Sequence, residues 1–252
     1  SLPYNSQARG VIERAHQTLW VQGAKQLPAY IGAVMTLPTL EAAGVSMVGV
    51  ASMDEAIQIR EAGIELPILV IGGIPSWSVG VAAEQEIQLT VFSDAHLASL
   101  AQAYSGTGKT IPRPMSPKPI KVHVKVDTGM HRIGVPIGEA ADFIRRCRQT
   151  PGVEVAGVFS HLAAAEDPII TQAQVTRWKA LLAEISPLPA YYHLANTLGA
   201  LAPGNRPLLT SDVCNLVRIG IAFFGYGADD LLQALDLKPA MGLRARIVHL
   251  QE

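Results

Sequence analysis

Four polar clusters in the sequence carry side chains able to bind anions or move protons: Lys125 with Arg132, His161, Asn196 with Thr197, and Arg218. The first is the densest, with Lys125, Asp127, His131 and Arg132 placing four ionisable groups within eight positions. Each cluster follows an apolar stretch of strand type. Singly, each has an ordinary structural reading. His161 reads equally as a capping or core histidine, Arg218 as the partner of a loop carboxylate, Arg132 as a surface arginine, and Asn196-Thr197 as a helix N-cap. Together they are a stronger signal, because the C-terminal strand ends of a parallel barrel open on one face and gather such residues around one pocket.

The elements that would position them recur as strand followed by helix. Over residues 121–136, Val122, Val124 and Val126 alternate with His123 and Lys125 at the period of a strand, and Asp127-Thr128-Gly129 stops it with turn formers. Strands are also expected over 47–51, 68–71, 89–92, 153–159, 190–194 and 216–224, with a weaker first strand near Val21. Helices are expected over 37–43, closed by Gly44, and from the capping box Ser52-Met53-Asp54-Glu55 to Gly63. Two more are expected over 139–149, with Arg145, Arg146 and Arg148 near its C-terminus, and along the face Val175, Trp178, Leu182 and Ile185. Residues 111–119 hold four prolines and read as an extended connection or a linker. Eight strands, each followed by helical or loop material, predict an α/β fold, a (β/α)8 TIM-type barrel over residues 1–240. Residues 241–250 alternate at period two again, and 241–252 read as the first strand of a truncated C-terminal β-domain.

Composition agrees with one large domain. The 252 residues match the roughly 250 of a typical barrel. With 49% hydrophobic and 16% charged residues, a sizeable core is expected and long disorder is not. The net charge of -1 argues against nucleic acid or an anionic membrane as partner. No apolar run approaches the roughly 20 residues of a membrane span, and a soluble, cytoplasmic protein is expected. Cys147 and Cys214 are the only cysteines, which predicts buried free thiols and no metal site.

The stretch Lys125-Val-Asp-Thr-Gly-Met-His-Arg132-Ile-Gly resembles the signature of the alanine racemase family. Phe159-Ser-His161, His193-Leu-Ala-Asn196-Thr197 and Val217-Arg218-Ile-Gly220-Ile221 are similar to that family's later motifs in order and spacing, and residues 48–56 resemble its second-strand motif. The resemblance implies a pyridoxal 5'-phosphate (PLP) enzyme that interconverts L- and D-alanine, or serine, by a two-base mechanism on a PLP-bound substrate. It implies that Arg218 bonds the pyridine nitrogen with His161 in support, and that Thr197, beside Asn196, binds the phosphate with the amides of Gly220 and Ile221. Arg132 is implied to meet the substrate carboxylate, and Lys125 matches a lysine that is carbamylated in many members. Counting back from Pro38 without a gap brings Lys25 to the position of the cofactor-bearing lysine, with an ordinary surface lysine in a rearranged segment as the alternative reading, and Tyr30 falls one place beyond the phosphate-binding tyrosine. The family's second base is a tyrosine of the C-terminal β-domain of the partner subunit, so the resemblance implies a homodimer, with a monomer the alternative for this chain. The alternative reading is a non-catalytic PLP-binding barrel or an inactive racemase fragment.

Overall fold

The computed structural model describes residues 44–105, 118–202, 204–205, 210, 212–227 and 235–238. Lys25, Tyr30, the strand near Val21, the helix over 37–43, most of the proline-rich stretch and residues 241–252 lie outside them. Strands β1 (Val48–Val50), β2 (Ile68–Val70), β3 (Ile87–Val91), β4 (Ile120–Asp127), β6 (Val153–Phe159) and β7 (Tyr191–His193) lie side by side in that order, all parallel. A two-residue strand, β5 (Val135–Pro136), pairs only with the end of β4. Between the strands run helices α1 (Met53–Glu61), α2 (Ser78–Glu84), α3 (Asp94–Ser105), α4 (Ile137–Gln149) and α5 (Pro168–Glu184), and α6 (Thr197–Leu201) follows β7.

Local sequence explains most of these boundaries. Ser52 and Glu55 close the expected capping box at the start of α1, and Gly63 beyond its end takes the left-handed φ of 78°. Helix α5 starts at Pro168, earlier than the apolar face alone suggests, because the Asp167 carboxylate caps the amides of Ile169 and Ile170. Helix α2 has no side-chain cap, and nothing in its sequence announces it.

The sheet has two buried faces. Val122, Val124 and Val126 of β4 pack outward among helix residues such as Phe143 and Ile144 of α4. The alternate residues His123 and Lys125 turn inward and are 0% and 3% exposed, so the polar half of the alternation faces the barrel interior, not solvent. Leu216, beyond β7, packs with Met47 and Leu69 from the other side of the sheet, which shows how far the sheet curls around its axis. Among the described residues this is a curled half-barrel of parallel strands with helices outside it, the arrangement of a TIM-type barrel.

One expected strand is corrected. Residues 216–224 do not form a continuous strand: Asn215 and Arg218 donate backbone bonds to Tyr192 and Ala195, and the chain then turns at Gly220 into a 3-10 helix over Ile221–Phe224. The turn brings Gly220 and Ile221 to the barrel mouth beside Thr197.

Candidate active site

The site is built at the C-terminal ends of the strands. Beyond β4 the chain folds over the Asp127 carboxylate, whose Oδ1 accepts the amides of Gly129 (2.9 Å), Met130 (2.9 Å) and His131 (3.1 Å). His131 closes the turn with a φ of 53° and sets Nδ1 3.2 Å from Asp127 Oδ2. A Cβ at Gly134 would stand 2.7 Å from the Asp127 amide, so only glycine allows the chain to return this closely to β4. This loop presents Arg132, whose exposed side chain has no ion-pair or hydrogen-bond partner among the described residues.

Arg218 is 5% exposed and donates to several neutral acceptors. Its Nη1 donates to His193 Nδ1 (2.8 Å) and to the His193 carbonyl (3.1 Å). Its Nη2 donates to the carbonyls of Ser160 (2.6 Å) and Leu194 (3.0 Å), with His161 Nδ1 at 3.3 Å. Burial pushes the guanidinium down to about 9, which leaves it charged at neutral pH.

His161 sits between two donors, Arg218 Nη2 at 3.3 Å and Asn196 Nδ2 at 3.4 Å. A neutral imidazole has one acceptor nitrogen, so it can satisfy only one of them, consistent with both contacts being long. Asn196 cannot turn its oxygen to the ring, because Oδ1 caps α6 through the Gly199 amide at 2.9 Å. Burial, then the charges of Arg218, Lys125 and Arg132, push His161 down to about 3. Lys125, with Nζ 4.6 Å from the centroid of the Phe159 ring, is pushed down to about 7 by burial, then Arg218 and Arg132.

The eight described residues to which the resemblance gave roles line a single cavity of about 300 Å³, whereas Asp127 and His131 of the first cluster do not. Lys125, Arg132, His161 and Arg218 bring charge and proton chemistry; Asn196, Thr197, Gly220 and Ile221 surround the other side, with Ile71 and Leu198. Thr197 Oγ1 accepts the Gly220 amide at 3.0 Å, which leaves the hydroxyl proton available to a ligand. The described lining holds three basic residues and no carboxylate, a donor set suited to an anionic molecule.

Other residues important to the site were not assigned from sequence. Gln174, on α5 and 1% exposed, ties two loops together: Nε2 donates to Thr128 Oγ1 (3.0 Å) and the His161 carbonyl (3.0 Å), and Oε1 accepts the Ala163 amide (2.8 Å). His193, His123 and Gln88 form a buried run behind Arg218. His193 was visible within a recognised motif, but neither Gln88 nor Gln174 carries a local signal. Cys147 and Cys214 are free and buried, as expected. Among the described residues there is no cluster of potential metal ligands, and no helix is long and apolar enough to cross a membrane.

Fold and cavity together define a parallel α/β fold of TIM-barrel type that gathers basic side chains at its strand ends around one cavity. The family model for the alanine racemase N-terminal domain matches residues 7–228, and the chain belongs to that family. It is 37% identical over 228 residues to an alanine racemase of Nostoc sp. (strain PCC 7120 / SAG 25.82 / UTEX 2576), covering 87% of this chain and 55% of that protein. It is 34% identical over 228 residues to an alanine racemase of Geobacillus stearothermophilus, covering 88% of this chain and 54% of that protein. Among solved structures, the alanine racemase of Clostridium difficile 630 superposes with a TM-score of 0.78 at 25% identity, over 95% of this chain and 61% of that one. The alanine racemase of E. faecalis superposes with a TM-score of 0.74 at 28% identity, over 94% of this chain and 61% of that one. The chain thus spans little more than half the length of these curated relatives.

Proposed function

We infer that this chain is the cofactor-binding barrel of a PLP-dependent amino-acid racemase that interconverts the enantiomers of alanine or serine and works as a homodimer. The observation that carries the reading is the cavity, where eight residues assigned by motif meet around a described lining with three basic side chains and no carboxylate.

The residues fit PLP by the chemistry of their donors. The ring nitrogen would face Arg218, with His161 beside it. The phosphate would meet the Thr197 hydroxyl and the amides of Gly220 and Ile221, next to Asn196. Lys25 is the proposed covalent anchor and Tyr30 a further phosphate ligand; both lie outside the described residues. Bound there, PLP supplies the electron sink that makes the α-proton of an amino acid removable.

The chain's own groups do the rest. Arg218 holds its proton, so it would donate a hydrogen bond to the ring nitrogen without protonating it. Arg132 binds the substrate carboxylate and fixes which face of the α-carbon each base meets. Lys25 Nζ removes or returns the α-proton on one face, and a second base must serve the other. The family's tyrosine from a partner subunit is the proposed second base.

Formation of D-alanine from L-alanine, with PLP added, tests this reading. Turnover lost on Lys25→Ala supports it. PLP binding without turnover above the blank favours the non-catalytic PLP-binding barrel, and absence of PLP binding removes both.

A further inference from the structure

We propose that Gln88, His123 and His193 form a one-way hydrogen-bond chain that positions Arg218, with both imidazoles held as neutral Nε2–H tautomers. The order follows from one fact of covalent chemistry. A guanidinium has donors and no acceptor, so His193 Nδ1, 2.8 Å from Arg218 Nη1, must accept. The His193 proton therefore sits on Nε2 and points at His123 Nδ1, 2.9 Å away. His123 accepts there, carries its own proton on Nε2, and donates to Gln88 Oε1 at 2.9 Å. The amide oxygen of Gln88 faces the ring, as this order requires.

The surroundings are built for the chain. His123 and His193 are both 0% exposed, and Gln88 is 6% exposed. The Phe159 ring stacks on His193 with centroids 4.7 Å apart and planes 6° apart, and Tyr191 stacks on His123 at 5.7 Å and 19°. Position 157 is glycine, and a Cβ there would enter the His123 ring, 2.3 Å from Nδ1. Aligned donors polarise one another, so the chain turns an electron-rich nitrogen toward the cation without adding a charge of its own. It also spans the barrel. Arg218 lines the cavity at the C-terminal mouth, whereas Gln88 lines a second cavity of about 360 Å³ beside Lys121 and Pro67, at the N-terminal ends of the strands. His123 and His193 act through Arg218 and are positioning residues, not catalytic ones.

The test is ring-nitrogen NMR on the protein labelled with [15N]histidine, the two rings being assigned with His123→Asn and His193→Asn. Both rings are expected to be pyrrole-type at Nε2 and pyridine-type at Nδ1, unchanged from about pH 5 to about pH 8. Arg218→Leu should release both rings into tautomer mixtures. Gln88→Leu should leave both as Nε2–H, because the order is imposed from the Arg218 end. An Nδ1–H or doubly protonated ring in the wild type, or loss of order in Gln88→Leu, overturns the proposal.

A second measurement rests on the reading that the cavity takes PLP. His193→Leu should weaken PLP binding about tenfold, because it strips an acceptor from a buried charged donor. His193→Asn should bring binding back to within about twofold, its Oδ1 standing where Nδ1 stood. Equal PLP binding by wild type and His193→Leu, or no rescue by asparagine, overturns the positioning role. If the wild type binds no PLP, the cofactor reading falls, and the tautomers still decide the chain. If His193→Leu does not fold, the wild-type and Gln88→Leu spectra decide it.

Discussion

A Cβ added to Gly157 on β6 would lie 2.3 Å from Nδ1 and 2.5 Å from Cε1 of His123 on β4. The ring is fully buried between Gln88, His193 and Tyr191, so it has nowhere to retreat. Gly157→Ala is therefore expected to destabilise the fold by about 1–3 kcal/mol through overpacking. Urea unfolding checks this. In a double-mutant cycle with His123→Ala most of that cost should vanish, and simple additivity would contradict the contact.

The same ring contributes to acid sensitivity. Burial, then the Arg218 charge, push His123 down to about 3, and His193 lies well below its ordinary value of 6.5 for the same causes in the same order. In the unfolded chain both imidazoles take up protons near 6.5, whereas in the folded chain His123 resists down to about 3. The unfolded state binds more protons across that window, so stability is lost as pH falls from about 6.5 toward 3. Replacing both histidines by glutamine should flatten the fall in urea midpoint between about pH 6.5 and pH 4. An equally steep profile in that variant would locate the acid sensitivity elsewhere.

Lys125 invites a chemical test. An amine pushed down to about 7 is substantially neutral at physiological pH, and only the neutral amine is nucleophilic. Attack of the neutral Nζ on carbon dioxide forms one N–C bond, opens one C–O π bond and releases one proton, which leaves a carbamate anion near the Arg132 and Arg218 charges. In [13C]bicarbonate at about pH 8, a carbamate resonance is expected in the wild type and not in Lys125→Met. Its absence from the wild type would refute carbamylation of this chain.

Thr197 is expected to matter through its hydroxyl alone. Oγ1 accepts the Gly220 amide at 3.0 Å and so links α6 to the turn that carries Ile221. Thr197→Ser should preserve PLP affinity, and Thr197→Val should lower it about tenfold, read from a PLP titration followed by absorbance. Equal affinities would move the phosphate away from this residue.

The sequence revealed the cavity better than the support behind it. Motif residues at strand ends are conspicuous because turns follow them, and the eight described ones to which the resemblance gave roles meet at one cavity. The support consists of contacts between positions far apart in the chain: Gln88 bonds to His123 across 35 residues, and Arg177 donates to the Thr128 carbonyl across 49. No local period encodes such pairs. The alternation in β4 correctly indicates a strand but does not say which face is wet, and the curled sheet with helices outside it buries both. In residues 216–224 the apolar run suggested a strand, but backbone pairing with β7 ends before Gly220 and the chain coils into a 3-10 turn.

Arg132 gives the cleanest separation of substrate from cofactor. Its loop is fixed by Asp127 and by the Gln174 clamp, both independent of the guanidinium, so Arg132→Lys should leave fold and PLP binding intact. Lysine keeps the charge but loses the planar pair of donors that grips a carboxylate. Under the proposed function, the expected result is a rise of about tenfold or more in KM for alanine with PLP affinity unchanged, and Arg132→Ala should be worse. Because Arg132 also holds Lys125 low, removing its charge should raise the Lys125 pKa and shift carbamate formation to higher pH. A variant that loses PLP instead of substrate affinity would assign Arg132 to the cofactor, and one that loses neither would remove it from the site.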